Sequence, residues 1–283
     1  MNHTSPIIFV GTQRSGTTWM GNLFARHPRL AYWEEPRHVW TWGHGYRADD
    51  ELGAADATPR IASHIRRTFE RFVRERGKDR LVEKTPSNCL RLPFIRAVYP
   101  EAKCIVVVRD GRSVIRSTGE QLDKGVPTSR LVQRAMETAP WEWPAYAGRG
   151  IATLGRRVTR RPLAYWGPRP KGWRDWVRQY SRDVVLAKQW AATITKAVTD
   201  GRAMASSHYM EYKYEDFMHN PREIMTRIVD FLSLPDAKEL IEHAAKTVDP
   251  ARQDKWRDAI DADTLEIVRP HMQPTLELLG YQW

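Results

Sequence analysis

The segment Gly11-Thr-Gln-Arg-Ser-Gly16-Thr17-Thr18 sets two glycines in a G-x4-G spacing directly after the apolar run IIFV. A glycine-rich turn between a strand and a helix gathers backbone N–H groups where the helix dipole is positive, so it takes anions, phosphate above all. A nucleoside-triphosphate loop of this spacing continues with Lys and then Ser or Thr. Here Thr17 stands at the Lys position, and the cation is Arg14, inside the loop. A small-molecule kinase is therefore an alternative that the loop fits poorly. A purely structural glycine turn is the other competing role.

A second group lies in IVVVRDGRSVIRS. Arg109 ends an apolar run, and Ser117 lies eight residues further on. An arginine at a strand end and a hydroxyl two turns into the next helix can grip one phosphate from two sides. The plain alternative is an Arg109 paired with a nearby acid at the sheet edge. Glu34 and Glu35 end the run LAYWE, and Lys84 ends LVEK within EKTP. Two adjacent carboxylates near cations form a base whose pKa the surroundings can set. A salt bridge from Glu35 to Arg37 competes with that role, and His38 is a reserve base. The sequence holds no Asp/Glu/His cluster with metal spacing, so no metal is expected.

These groups need strands to carry them. Ile7–Gly11, Leu30–Glu34, Leu81–Lys84, Lys103–Arg109 and Tyr209–Tyr214 read as strands, most of them too apolar to have a wet face. Helical spacing of Trp19, Met20, Leu23 and Phe24, and of Ile61, Ile65, Phe69 and Val73, places helices between them. Further helices are expected at about Gly111–Leu122, over one long stretch Trp173–Thr199, and after Pro221. The alternation predicts an α/β fold: a P-loop-like central parallel sheet flanked by helices. Residues 1–283 are read as a single domain. Within it, residues 125–172, rich in Pro, Gly, Trp and Arg, break the rhythm and read as an inserted loop or helical cap.

The chain carries a formal charge of +11, with ten Lys or Arg against one acid, Asp175, from Arg149 to Arg182. Such a field draws anions. On charge alone a non-catalytic nucleic-acid binder is a second alternative, one that leaves the glycine loop without a role; no nucleic-acid partner is expected. No apolar run is long enough to span a membrane, and Met1–Pro6 lacks the features of a signal peptide, so a cytoplasmic location is expected. Cys89 and Cys104 suggest neither a disulfide framework nor a metal site. Oligomeric state is not readable.

VGTQRSGTTWM resembles the 5′-phosphosulfate loop of sulfotransferases that use 3′-phosphoadenosine-5′-phosphosulfate (PAPS). It is most similar to the Arg-containing version in tyrosylprotein sulfotransferases and related bacterial and Golgi enzymes. The similarity runs without a gap from Ile8 to Arg37, returns at three isolated motifs, and is loose elsewhere.

The resemblance implies sulfonate transfer from PAPS, leaving adenosine 3′,5′-bisphosphate (PAP), with no metal. Its loop implies that Arg14, Ser15, Gly16, Thr17 and Thr18 hold the 5′-phosphosulfate, and that Arg109 and Ser117 hold the 3′-phosphate. It further implies nucleotide contacts from Tyr214, Lys255 and Trp256, although packing of Tyr214 and a solvated helix at Lys255-Trp256-Arg257 compete with these. For catalysis it implies Glu35 as general base and Lys84 and Arg14 as cations stabilising the leaving oxygen. Apart from the resemblance, the Arg- and Trp-rich composition lets Tyr165 and Trp166 of the cap, with Trp173 and Trp176 just after it, meet the acceptor, a small molecule, glycan or peptide of acidic or aromatic character; a solvated basic face with a few buried Trp anchors is the competing role.

Overall fold

Five strands form one parallel sheet in the order β2-β3-β1-β4-β5: β1 Ile7–Val10, β2 Leu30–Glu34, β3 Arg80–Lys84, β4 Lys103–Val108 and β5 Tyr209–Lys213. The expected α/β class and parallel sheet are what the computed structural model contains. It describes residues 5–124, 165–249 and 256–283. Most of the cap segment and Lys255 therefore lie outside the described residues.

Alternate residues of each strand face opposite layers. Ile8, Val10, Leu81, Cys104 and Val106 pack under α3 (Pro59–Glu75), α4 (Leu92–Val98), α5 (Gly111–Lys124) and two later helices, α7 (Arg182–Arg202) and α11 (Ala262–Leu278). Ile7, Phe9, Val82, Ile105 and Val107 pack on the other side against α1 (Thr17–Phe24), α8 (Tyr214–His219), α9 (Pro221–Leu232) and α10 (Lys238–Thr247). Burial on both faces explains why β1 and β4 are continuously apolar.

The register decides where the chemistry sits. Glu34 pairs with Lys84, Phe9 with both Lys84 and Ile105, and Val108 with Lys213. The strands thus end together at one edge, and the next residues of each leave from that edge: Glu35, Gly11, Arg109 and Tyr214. Ligands of parallel sheets bind outside such carboxyl ends.

Two local expectations are corrected, and two short helices are added. The stretch expected as one helix from Trp173 splits into α6 (Trp173–Gln179) and α7, because Tyr180 and Ser181 are extended and Ser181 takes the N-cap position before Arg182. Tyr214 begins α8 and does not end β5. The short helices α2 (Arg37–Trp40) and α4 had no visible period; Leu92, Phe94, Ile95 and Val98 are all buried, so no polar face marks α4.

Candidate active site

Thr12 opens the loop, and its carbonyl accepts from Ser15 Oγ at 2.6 Å, which tucks Ser15 into the interior. The chain then needs two left-handed residues to turn into α1: Arg14 at φ 64° and Gly16 at φ 85°. Glycine accepts this conformation freely, while a non-glycine residue there stores roughly 1–3 kcal/mol of strain. Gly16 is required for a second reason. A Cβ at this position would lie 2.7 Å from the Tyr214 ring.

Arg14 connects the loop to the second group. Its Nε donates to Ser117 Oγ at 2.9 Å, and its backbone carbonyl accepts from the Arg109 guanidinium. Arg109 in turn lies on the face of Tyr214, 4.2 Å from ring centre to Cζ, a favourable stacking of a cation on an aromatic ring. Arg109 and Ser117 are thus joined through Arg14. Four separate strand ends and helices supply Arg14, Arg109, Ser117 and Tyr214, so only the fold brings them together. Arg109 Nε is buried and has no hydrogen-bond partner among the described residues. A buried, unsatisfied N–H of a cation beside a glycine loop fits an anionic phosphate.

Lys84 and the two glutamates form the other half. Lys84 Nζ lies 3.0 Å from Glu35 Oε1 and 3.6 Å from Glu34 Oε1, with the lysine side chain only 3% exposed. It is not a surface lysine. Thr18 Oγ1 reaches Glu34 at 3.5 Å, tying the pair to the start of α1. Glu35 sits at φ 52°, a second strained residue in the site, and Arg37 N donates to its carbonyl at 2.7 Å across Pro36. The Pro36 angles of −72° and 60° make this an inverse γ-turn. Glu35 Oε2 also meets Arg37 Nη2 at 3.2 Å. The base and salt-bridge roles weighed for Glu35 therefore share one carboxylate with its two oxygens on different cations. His38 instead packs edge-on against Trp33.

Trp256 is buried with its ring 4.3 Å from the Arg112 guanidinium. That places it behind the 109–112 turn.

Sequence reading passed over Glu83. It is fully buried, accepts from Asn88 Nδ2 at 2.7 Å and from Thr85 Oγ1, and thereby shapes the turn after Lys84. Burial pushes its carboxyl up to about 7, against the pull of Thr85, Trp40, Arg91 and Lys84. Its place beside Lys84 in EKTP was the only signal. Asp50 ties Arg169 to the core: its carboxylate holds the Arg169 guanidinium and accepts from Ser87 Oγ at 2.9 Å. Burial alone would raise the Asp50 carboxyl, but Arg169 outweighs it and holds it at about 2.

A model described as the sulfotransferase family matches residues 6–143, which contain Arg14, Glu34, Glu35, Lys84, Arg109 and Ser117 of this site but not Tyr214. Protein-tyrosine sulfotransferase A of Caenorhabditis elegans is 28% identical over 310 residues, covering 99% of this chain and 68% of the relative. The matched region, residues 6–143, thus resembles the sulfotransferase family. A second relative, a putative protein-tyrosine sulfotransferase of Caenorhabditis briggsae, is 29% identical over 46% of the chain and 47% of its own length. Human protein-tyrosine sulfotransferase 1 is 28% identical over 40% of the chain and 33% of its own length. The match to this chain thus spans about half of one of these relatives and a third of the other. Among solved structures, the sulfotransferase domain from the curacin biosynthetic pathway superposes with a TM-score of 0.58 at 15% identity, covering 98% of each chain. The sulfotransferase domain of the Synechococcus olefin synthase gives 0.52 at 18% identity, covering 100% of this chain and 98% of its own. At these identities the likeness is one of fold.

Proposed function

We propose that this chain moves a sulfonate group from PAPS to an acceptor hydroxyl or amine, with a carboxylate as general base. The observation that carries this reading is the buried Lys84 in contact with Glu35, set beside the Arg14–Ser117 and Arg109–Tyr214 contacts at the same sheet edge. PAPS supplies the sulfonate, whose bond to the bridging phosphate oxygen breaks as the bond to the acceptor forms.

Arg14 and the N–H groups from Ser15 to Thr18 would hold the 5′ end, and Arg109 and Ser117 the 3′-phosphate. Lys84 and Arg14 would offset the charge that grows on the leaving oxygen, which in a site shielded from water is the larger share of catalysis. Glu35 would take the acceptor proton. Its strained backbone and two cationic neighbours hold the carboxylate in one orientation, and positioning of this kind contributes strongly to transfer reactions. Lys84 would meet the leaving oxygen by loosening from Glu35 as the proton arrives there.

The relatives' names supply the first acceptor to try, the phenolic hydroxyl of tyrosine in a peptide. The cap segment 125–172 would cover that acceptor. Thr17, standing where a kinase loop has lysine, argues against the kinase alternative.

The test is to incubate the chain with PAPS and tyrosine-containing peptides, or a metabolite extract, and look for a mass gain of one sulfonate. PAP should raise the thermal midpoint far more than AMP, in proportion to its affinity. Equal shifts with PAP and AMP would remove the reading.

A further inference from the structure

The turn that carries Arg109 is braced from behind by residues no part of the reaction uses. Helix α11 ends at Leu278, and Gly280 beyond it takes φ 70°, with Gly280 N donating to the carbonyl of Glu277 at 3.0 Å and Tyr281 N to that of Leu276 at 2.8 Å. This is the Schellman ending, in which a left-handed glycine reverses the chain. The reversal carries Tyr281 onto Glu215, the residue after Tyr214. Tyr281 Oη donates to Glu215 Oε2 at 2.6 Å, and Asp110 N donates to Glu215 Oε1 at 3.1 Å. Asp110 directly follows Arg109. Its carboxylate accepts from Arg112 N at 2.8 Å and Arg112 Nη2 at 2.7 Å, while Arg112 Nη2 also donates to the Gln282 carbonyl at 2.9 Å. Trp256 and Trp283 lie 4.3 and 5.6 Å from the Arg112 guanidinium.

We propose that Tyr281 is a positioning residue for the 3′-phosphate: through Glu215 it holds the 109–112 turn and so aims the Arg109 guanidinium. This rests on the PAPS reading above. The reasoning is a matter of partners. Glu215 is the group shared by the Arg109 turn and by Tyr214, the ring on which Arg109 lies. A carboxylate in this partly buried place needs donors on both oxygens; burial already pushes its carboxyl above the usual range. Without the Tyr281 hydroxyl, Oε2 loses its partner. The carboxylate is then free to take a proton or swing outward, and Asp110 N loses its acceptor. The error passes first to Arg109, one residue away, while the 5′-phosphate loop keeps its own Ser15–Thr12 hydrogen bond and its left-handed Gly16.

The experiment is isothermal titration of PAP and of AMP into the full chain and into Tyr281→Phe, with thermal midpoints recorded in parallel. Phenylalanine keeps the ring, which lies 4.5 Å from Lys213 Nζ, and removes only the hydroxyl. The expected result is PAP affinity lowered roughly tenfold, the scale of one charge-assisted hydrogen bond, with AMP affinity unchanged. Loss of affinity for both nucleotides together with a lower midpoint would mean that Tyr281 only stabilises the fold, and would overturn the proposal. Unchanged PAP affinity would overturn it as well. A wild-type chain that does not prefer PAP to AMP would remove the PAPS reading itself, and this inference with it.

Discussion

Lys84 and Glu35 contact each other twice, once through their side chains at 3.0 Å and once where Glu35 N donates to the Lys84 carbonyl at 2.8 Å. The backbone contact continues the pairing of β2 with β3 by one residue past Glu34 and Lys84. The sheet itself therefore sets the distance between the proposed base and the proposed cation. Neither residue depends on a loop for its place.

Lys84→Ala is expected to lower turnover by about 10²–10³-fold, the usual effect of losing one group that stabilises transition-state charge. PAP affinity should change little. Arg109→Ala should do the reverse, weakening PAP binding by about 2 kcal/mol through loss of a charge-assisted phosphate contact. Initial rates and isothermal titration on both variants separate the two roles, and a parallel loss in both would refute the division of labour.

Glu35→Gln keeps the shape but cannot accept a proton, so turnover should fall by roughly 10²–10⁴-fold while PAP still binds. Glu34 is more open, with 36% of its side chain exposed against 15% for Glu35, and lies farther from Lys84. Glu34→Gln should cost much less. If Glu34→Gln is the worse of the two, the base has been misassigned by one residue.

Gly16→Ala puts a Cβ on a left-handed residue and against the Tyr214 ring at 2.7 Å. The backbone part alone costs about 1–2 kcal/mol. Because Tyr214 carries Arg109, the variant should lose both stability and PAP affinity. Urea unfolding and PAP titration measure the two; wild-type PAP affinity in a destabilised Gly16→Ala chain would show that loop and Tyr214 are not coupled.

Glu83 gives a pH dependence. Its carboxyl is raised by burial from 4.5 to about 7 in the folded chain, so the folded state binds the proton more tightly than the unfolded state. The stabilisation this gives is complete below about pH 4.5, where both states are protonated, and is lost as pH rises through about 7. Glu83→Gln cannot ionise. The stability difference between variant and wild type should therefore move in the variant's favour as pH rises from about 5 to 7, read from urea midpoints across that range. A difference independent of pH would show that Glu83 titrates as an ordinary carboxyl.

Much of the machinery was legible before any coordinates. Backbone constraints write themselves into residue types: two glycines in a turn, apolar runs too continuous for a wet sheet face, a proline at a helix start. The loop at Gly11–Thr18, the strand ends at Arg109 and Lys84, and the Glu34-Glu35 pair follow from these local rules, because each concerns residues close together in the chain. What local rules do not contain is which strand neighbours which. The order β2-β3-β1-β4-β5 places Lys84 beside Glu35 and Arg109 beside Tyr214 across separations of 49 and 105 residues. Burial of Glu83, the stacking of Arg109 and the return of Tyr281 to Glu215 depend on the same packing. Each is a contact between distant residues, and such contacts are selected by the core as a whole, not by the segments that meet in it.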